Sequence, residues 1–252
     1  MQKKIRLCVL FGGRSAEHEV SIISARSMID SLDSDRYELL LVGIDHDGCW
    51  ANFEAKKDFQ SISQVVIKNQ EKLRLDYTEG GLIRGSQGNV YPVDVVFPML
   101  HGPYGEDGCI QGLFELADIP YVGSGVVGSS VGMDKVIMKS VFKASDLPQL
   151  DYYVTSRSDW HSDKDQVIDS VSSMLNFPVF VKPANMGSSV GVSRVIDKSQ
   201  LTSAINLAVR FDRRIIIEKS AEDFLELTLT NRASELAVGD AQYSLMCNDQ
   251  GG

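Results

Sequence analysis

Three loops of the sequence combine small residues with charged or titratable side chains. The first, FGGRSAEHEVS at residues 11–21, places two glycines and Glu17 just before a predicted helix. Glycines let a polar ligand approach the backbone closely, and a helix N-terminus attracts anions. The same residues also suit a tight turn in which Glu17 and Glu19 complement the helix dipole. Taken alone, this string leaves both interpretations open.

The second loop, HGPYGEDG at residues 101–108, begins with His101 at the end of a predicted strand. A lone histidine is more often a hydrogen-bonded loop residue than a catalyst. The loop is nevertheless richer in glycine than simple packing requires, which favours contact with a ligand. Glu106 and Asp107 are predicted to cap the helix that follows.

The third loop, NMGSSVG at residues 185–191, follows the strand PVFVK, which ends at Lys182. Ser188 and Ser189 lie between its two glycines, and the backbone N–H groups of such a loop can bind phosphates. The Gly-Lys-Ser/Thr ending of a Walker A loop is missing. A solvated side chain is the simplest interpretation of any lysine, but the position of Lys182 between a buried strand and this loop favours a phosphate contact.

Apolar runs before the first two loops predict a parallel sheet. The predicted strands are IRLCVLF at residues 5–11, ELLLVGI at 38–44 and VDVVFPML at 93–100. Helical patterns follow them, so residues 1–132 are predicted to form a doubly wound α/β domain that binds ligands at the carboxyl ends of its strands. Residues 51–91 predict short helices and hairpins, and residues 123–130 predict a loop.

A second domain is predicted over residues 133–228. Its predicted helices lie at residues 135–143, 165–175 and 199–209, and its predicted strands near residues 152–154, 179–181 and 215–217. The last strand, RIIIEK, ends at Glu218 and Lys219, which an exposed charge pair at a strand end would explain. Residues 229–252 mix polar and small residues without a sustained period, and no element is predicted there.

Composition excludes several functional classes. The formal net charge of -9 and the pI of about 5.0 argue against a nucleic-acid partner. No apolar stretch is long enough to cross a bilayer, so we expect no membrane partner and a cytoplasmic location. The four cysteines form no CxxC pair, which favours reduced, structural thiols over a zinc site or disulfides.

Together these strings resemble the D-alanine:D-alanine ligases of the ATP-grasp superfamily. The resemblance implies that Glu17 anchors the ammonium group of the first D-alanine and that His101 lies beside the reacting carboxylate. It also implies that Ser188 helps to orient the second D-alanine. Glu17 and Ser188 are therefore the expected catalytic residues, and D-alanine and ATP the expected small-molecule partners.

The same resemblance implies a nucleotide site in the second domain. By that resemblance Lys135 and Lys182 contact ATP phosphates, and Ser188 and Ser189 belong to the loop that covers them. Glu218 and Lys219 match the segment that contacts the adenine. Glu226 matches a ribose-binding acid if one extra residue is admitted in the preceding turn.

The expected fold is a doubly wound N-terminal domain followed by an incomplete ATP-grasp α+β domain, with residues 229–252 unmatched. The family reaction joins two D-alanines through an acyl phosphate, forming a C–N bond for peptidoglycan precursors. Magnesium is expected for the family, but no metal ligand is assigned in this chain, so we expect negligible activity from the chain alone. The family resemblance also implies a homodimer. Two alternatives stay open: another ATP-grasp ligase, such as a D-alanine:D-lactate ligase, and an inactive fragment or nucleotide-binding remnant.

Overall fold

The computed structural model describes residues 3–53, 56–221, 224–229 and 243–248, and for residues 56–58, 224–229 and 243–248 it describes the backbone only. The chain divides into two compact units, of which the first spans Met1–Ser130 and the second begins at Val131. The predicted domain limits at residues 132 and 228 stay predictions.

The first unit is built on one mixed sheet. Its strands are β1 (Ile5–Gly12), β2 (Tyr37–Ile44), β3 (Trp50–Asn52), β4 (Lys72–Leu75), β5 (Leu82–Gly85), β6 (Val90–Pro92) and β7 (Val95–Pro98), and its helices are α1 (His18–Ser31), α2 (Lys56–Ser61), α3 (Cys109–Leu116) and α4 (Val126–Met133), the last of which crosses into the second unit. The strands lie in the order β6-β5-β4-β3-β2-β1-β7. β1 pairs in parallel with both β2 and β7, whereas β3 to β6 extend the sheet as antiparallel strands.

Helices cover both faces of this sheet. Along β1, Val9 and Phe11 point into one core with residues of α1, whereas Cys8 and Leu10 point into the other core, which Phe114 of α3 helps to fill. Because side chains alternate between the faces of a strand, a strand buried on both faces is a continuous apolar run. The predicted α/β class with a parallel sheet is thereby confirmed.

Residues 123–130 were predicted to form a loop, and this prediction was wrong. Helix α4 begins at Val126, and none of its residues is buried. A helix without a buried face has no apolar stripe for a sequence pattern to detect. Local polar contacts hold it, since Ser129 Oγ donates to the carbonyl of Ser124 at 3.1 Å and Ser130 Oγ to that of Asp107 at 2.9 Å.

Acidic residues of the first unit are held in their charged form. The Arg6 guanidinium, which binds both carboxylate oxygens of Asp94, holds the pKa of Asp94 well below its usual range. Hydrogen bonds from Thr78, assisted by Arg84, lower the pKa of Asp76 in the same way. A carboxyl group whose pKa is lower in the folded state stabilises the fold above its unfolded pKa, and this contribution disappears as the pH falls toward the folded value.

The first unit should therefore lose stability as the pH falls below about 4, the ordinary pKa of aspartate. We expect the melting temperature to drop between about pH 5 and pH 2. Asp76→Asn and Asp94→Asn variants should melt earlier than the unaltered chain at neutral pH and approach it in acid. Thermal melts followed by circular dichroism check this, and a constant gap between variant and unaltered chain across the pH range would contradict it.

The second unit contains a four-stranded antiparallel sheet. Its elements are α5 (Lys135–Ala144), β8 (Tyr152–Ser156), α6 (Arg157–Ser162), α7 (Lys164–Met174), β9 (Val179–Pro183), β10 (Ser193–Val195), α8 (Leu201–Ala208), β11 (Arg214–Lys219), β12 (Phe224–Leu229) and β13 (Tyr243–Asn248). The sheet order is β10-β9-β11-β8, and β12 pairs separately with β13. The predicted helices and strands of residues 135–217 are present, and β13 lies where no element was predicted.

Strand alternation gives this sheet one apolar face and one mixed face, on which charged and apolar side chains lie together. Val181 of β9 and Ile217 of β11 point into the core that also holds Trp160. Their neighbours Lys182 and Glu218 therefore lie on the opposite face. Because β9 and β11 are adjacent, with Ile216 paired to Lys182 in register, the two charged side chains come close together.

Among the described residues, no helix is both long and apolar enough to cross a membrane. In the same part of the chain Cys8 is a buried free thiol, whereas Cys49 and Cys109 are exposed. Burial raises the pKa of Cys8 well above its ordinary value.

Candidate functional sites

The first candidate site surrounds Glu17 at the carboxyl ends of β1 and β7. Gly12 and Gly13, with φ of 86° and 96°, turn the chain from β1 toward α1, and the N–H of Glu17 donates to Ser15 Oγ at 3.0 Å. A Cβ atom added to Gly102 would lie 2.7 Å from Glu17 Oε2. The Glu17 carboxylate thus lies directly against the backbone that follows β7, and the structure brings it together with the loop of His101.

His101 is half-buried and is oriented by helix α1. Its Nε2 lies 3.1 Å from Ser24 Oγ. The loop behind it is closed by Glu106, whose Oε2 accepts the N–H of Gly102 at 2.7 Å, so the prediction that Glu106 caps the next helix was wrong. The reason is that its carboxylate meets a nearer N–H group within the loop. Asp107 does reach the helix, since it accepts the N–H of Cys109 at 3.1 Å.

His18 was missed as a site residue by the sequence analysis. It is fully buried, its Nδ1 lies 2.6 Å from the carbonyl of Gly13, and its Nε2 accepts the N–H of Val65 at 3.0 Å. Since Nε2 accepts, Nδ1 carries the proton that is donated to Gly13. The ring also stacks on His46, with centroids 4.1 Å apart. His18 therefore fixes the turn that carries Glu17. In the sequence, its position next to Glu17 was the signal that could have identified it as a site residue.

A small cavity of about 100 Å³ opens beside this loop system. Gly13, Ser15, His101 and Tyr104 contribute to its lining. The guanidinium of Arg14 lies 5.2 Å from the centre of the Tyr104 ring and covers part of the rim. Apolar side chains such as Trp50, Leu100 and Ile110 complete the lining, so the cavity at the carboxyl ends of β1 and β7 is mainly apolar with a few polar groups.

The second candidate site is a cluster of charged residues. It lies on the mixed face of the sheet in the second unit. Glu218 forms ion pairs with two lysines: Oε2 lies 2.9 Å from Lys182 Nζ, and Oε1 contacts Lys139 Nζ. Burial alone would raise the pKa of Glu218, but the charges and hydrogen bonds of the two lysines outweigh burial and leave this pKa below its usual value. Glu218 is therefore a carboxylate.

Lys135 adds a third cation to this cluster. Its Nζ donates to the carbonyl of Met186 at 2.5 Å, which joins α5 to the glycine- and serine-rich loop. Burial, followed by repulsion from Lys182, lowers the pKa of Lys135. Within the described part of the second unit, Lys139 and Lys182 thus pair with Glu218, whereas Asp212 and Glu218 attract Lys135 electrostatically without an ion pair. A partly buried surplus of positive charge is suited to an anionic ligand.

The loop at residues 185–191 has an unusual backbone. Ser188 and Ser189 adopt φ of 47° and 58°, and Gly191 adopts 72°. These two serines form the centre of a tight turn, which the N–H of Val190 closes by donating to the carbonyl of Gly187 at 3.1 Å. Non-glycine residues rarely adopt this conformation, and such strain is found mainly at functional sites.

The remaining predicted site residues lie at or beyond the edge of this cluster. Lys219 is exposed, and its N–H donates to the carbonyl of Asp151 at 3.0 Å. Glu226 lies on β12, but its side chain lies outside the described residues. Where side chains are described, no group of three or more His, Cys, Asp or Glu residues could hold a metal ion. The predicted roles of all these residues stay predictions.

Lys139 belongs to the cluster but was not predicted as a site residue. It lies four residues after Lys135 on α5 and is buried. Residues four apart share one face of a helix, so the spacing of the two lysines was a usable signal. The sequence could not show that Glu218 lies opposite that face.

Two family models match successive parts of the chain. A family model described as the D-ala D-ala ligase N-terminus matches residues 6–124, and one described as the D-ala D-ala ligase C-terminus matches residues 141–235. A D-alanine–D-alanine ligase of Heliobacterium modesticaldum is 50% identical over 218 residues, covering 86% of this chain and 60% of that protein. One of Staphylococcus epidermidis is 46% identical over 221 residues, covering 86% and 59%.

Solved structures give the same result. The D-alanine-D-alanine ligase of Coxiella burnetii superimposes with a TM-score of 0.78 at 31% identity, covering 88% of this chain and 65% of that one. A D-Ala:D-Ser ligase of Enterococcus faecalis gives a TM-score of 0.76 at 28% identity, covering 88% and 64%. The chain spans about 60% of the length of the curated relatives it matches.

Proposed function

This chain belongs to the D-alanine–D-alanine ligase family, and on that premise we propose that it serves the ATP-dependent joining of two D-alanines for peptidoglycan precursors. In this reaction a D-alanine carboxylate attacks the γ-phosphate of ATP, which gives an acyl phosphate and ADP. The amine of the second D-alanine then attacks the acyl carbon, the new C–N bond forms, and phosphate leaves. The proposal includes a cytoplasmic location and a homodimer.

The surplus of lysine charge in the second unit carries this proposal. Lys135 and Lys182 are proposed to bind the phosphates of ATP, because Lys135 binds the carbonyl of Met186 in the glycine- and serine-rich loop and Lys182 lies near the end of β9, which leads into that loop. Ser188 and Ser189 belong to that loop and are exposed, so a ligand can reach them. Glu218 and Lys219 are proposed to contact the adenine, and Glu226 the ribose.

The first unit is proposed to bind the first D-alanine. Glu17 supplies a carboxylate for the ammonium group of the substrate, and His101, at the start of the facing loop, lies near its carboxylate. Ser188 is proposed to orient the second D-alanine. Magnesium belongs to the proposal through the family, and no described residue is assigned to hold it.

A second acceptor remains a candidate because one structural neighbour is a D-Ala:D-Ser ligase. That neighbour is 28% identical, whereas the curated relatives named D-alanine–D-alanine ligase reach 50%. The higher identity favours D-alanine as the second substrate. D-Lactate is a third possibility for the acceptor, and product analysis with each acceptor distinguishes the three.

Replacing Lys182 by methionine tests the nucleotide site. We expect the affinity for ATP, measured by calorimetry at constant magnesium and ionic strength, to fall about tenfold or more, since a charge-assisted hydrogen bond contributes about 1.5–3 kcal/mol. Lys198→Met is the matched control, because Lys198 pairs with the exposed Asp169 and is itself 55% exposed. Equal affinities of the two variants would contradict the proposed role of Lys182, and an unaltered chain that binds no ATP would contradict the nucleotide site.

A further inference from the structure

Lys139 is a buried cation that the proposed substrate contacts do not use. Its side chain is 9% exposed, compared with 20% for Lys182. Its Nζ contacts Glu218 Oε1 and lies 5.2 Å from the centre of the Tyr152 ring. A lysine is rarely buried to this extent unless its charge is paired. Lys139 is thus enclosed between a carboxylate and an aromatic face, and any role it has acts through these two neighbours.

Glu218 divides its two oxygens between two different lysines. Oε1 belongs to Lys139 and Oε2 to Lys182, at 2.9 Å in the latter case. The two lysines are not equivalent, because Lys182 is more exposed and is also repelled by Lys135. Lys182 is therefore the partner that an incoming anion can draw away, whereas Lys139 is held in place.

We propose that Lys139 is a positioning residue that keeps Glu218 paired while Lys182 moves from the glutamate to a phosphate of the bound nucleotide. This inference rests on the proposed nucleotide site of the second unit. Without Lys139, each transfer of Lys182 to phosphate would leave a buried carboxylate unpaired, which is strongly unfavourable. Glu218 would then compete with the phosphate for Lys182.

The proposal predicts that Lys139 affects the binding of phosphates but not of the nucleoside. Lys139→Met should bind ATP about tenfold more weakly, because the unpaired Glu218 then opposes the charge-assisted hydrogen bond from Lys182 to the phosphate. Its affinity for adenosine should stay within about twofold, because adenosine does not require Lys182 to leave Glu218. Lys139→Arg, which keeps the charge, should bind ATP almost as the unaltered chain does. Titration calorimetry with ATP and with adenosine measures both affinities.

A double variant tests the competition directly. Lys139→Met combined with Glu218→Gln removes one positive and one negative charge, so the cluster keeps its formal charge while the competing carboxylate is gone. Because Glu218 is also proposed to contact the adenine, the double variant is judged by the ratio of its ATP affinity to its adenosine affinity, which should return to within about threefold of the ratio of the unaltered chain. The double variant should fold more readily than Lys139→Met, because it replaces an ion pair by neutral groups and leaves no buried carboxylate unpaired. If Lys139→Met does not fold, Lys139→Gln, which can still donate a hydrogen bond to Glu218 but carries no charge, takes its place in the comparison.

Several results would overturn the inference. Equal losses of ATP and adenosine affinity in Lys139→Met would mean that Lys139 only maintains the shape of the site. Unchanged ATP affinity in that variant, or no recovery in a folded double variant, would show that Glu218 does not compete for Lys182. Failure of the unaltered chain to bind ATP is a separate outcome, because it removes the proposed nucleotide site and the inference with it.

Discussion

Alanine in place of Gly102 should weaken the binding of D-alanine by the chain about tenfold or more, because displacing a charged hydrogen-bonding group costs about 1.5–3 kcal/mol. The new Cβ atom would lie 2.7 Å from Glu17 Oε2, which is closer than a side chain tolerates. The carboxylate is the flexible partner and must move. The backbone φ of 69° adds strain for any residue other than glycine.

Two other glycines serve as controls that separate the displacement of Glu17 from the strain of the backbone. Gly88 has a φ of 92° but nothing within 4 Å of an added Cβ, so Gly88→Ala carries the strain without the displacement of Glu17. Gly112 lies within α3 and also has open space around it, so Gly112→Ala should leave stability equal or slightly higher. Titration of D-alanine into each variant, followed by NMR, gives the affinities. A Gly102→Ala chain that binds D-alanine as well as Gly88→Ala would disprove the proposed role of Glu17.

Glu218→Gln should destabilise the second unit by about 3–5 kcal/mol, the usual effect of removing one partner from a buried ion pair. Glu218 is 12% exposed and is the carboxylate between Lys139 and Lys182, so its loss leaves neighbouring cations to repel each other. Chemical denaturation followed by circular dichroism measures the free energy of unfolding. A loss below about 1 kcal/mol would show that solvent already screens the cluster.

The stability of the double variant provides the internal control. Lys139→Met in the Glu218→Gln background removes the least exposed lysine, and we expect it to restore most of the lost free energy of unfolding. In the unaltered chain the lowered pKa of Glu218 means that its contribution is present above about pH 4.3 and is lost as the pH falls further. Glu218→Gln should weaken that acid dependence.

Much of the fold of the first unit could be predicted because the parallel strands of its sheet are buried on both faces. In β1 the residues alternate between two apolar cores, which leaves an uninterrupted apolar run in the sequence. Helix α5 has an equally local signal, since Asp134 accepts the N–H groups of Val136 and Ile137 and thereby caps it. Such signals depend on neighbours in sequence, which is why they can be recognised without coordinates.

The features that were not predicted depend on contacts between distant segments. Helix α4 buries no residue, so nothing in its sequence distinguishes it from a loop. Glu106 was predicted to cap a helix because of its position, but it closes onto Gly102. The cluster around Glu218 follows from the pairing of β9 with β11, a register that sequence patterns do not specify. His18 needs Val65, a residue from another loop, before its role becomes visible.

The buried thiol in β1 gives the first unit a built-in reporter of its integrity. Cys8 lies on β1, between β2 and the edge strand β7, and is inaccessible, whereas Cys49 and Cys109 face solvent. Since only the thiolate reacts, burial suppresses alkylation of Cys8 through both its access and its raised pKa. Peptide-resolved alkylation therefore records the opening of the strand that leads to Glu17. Ligands that close the site at the end of this strand should slow the modification of Cys8 while leaving Cys49 unaffected.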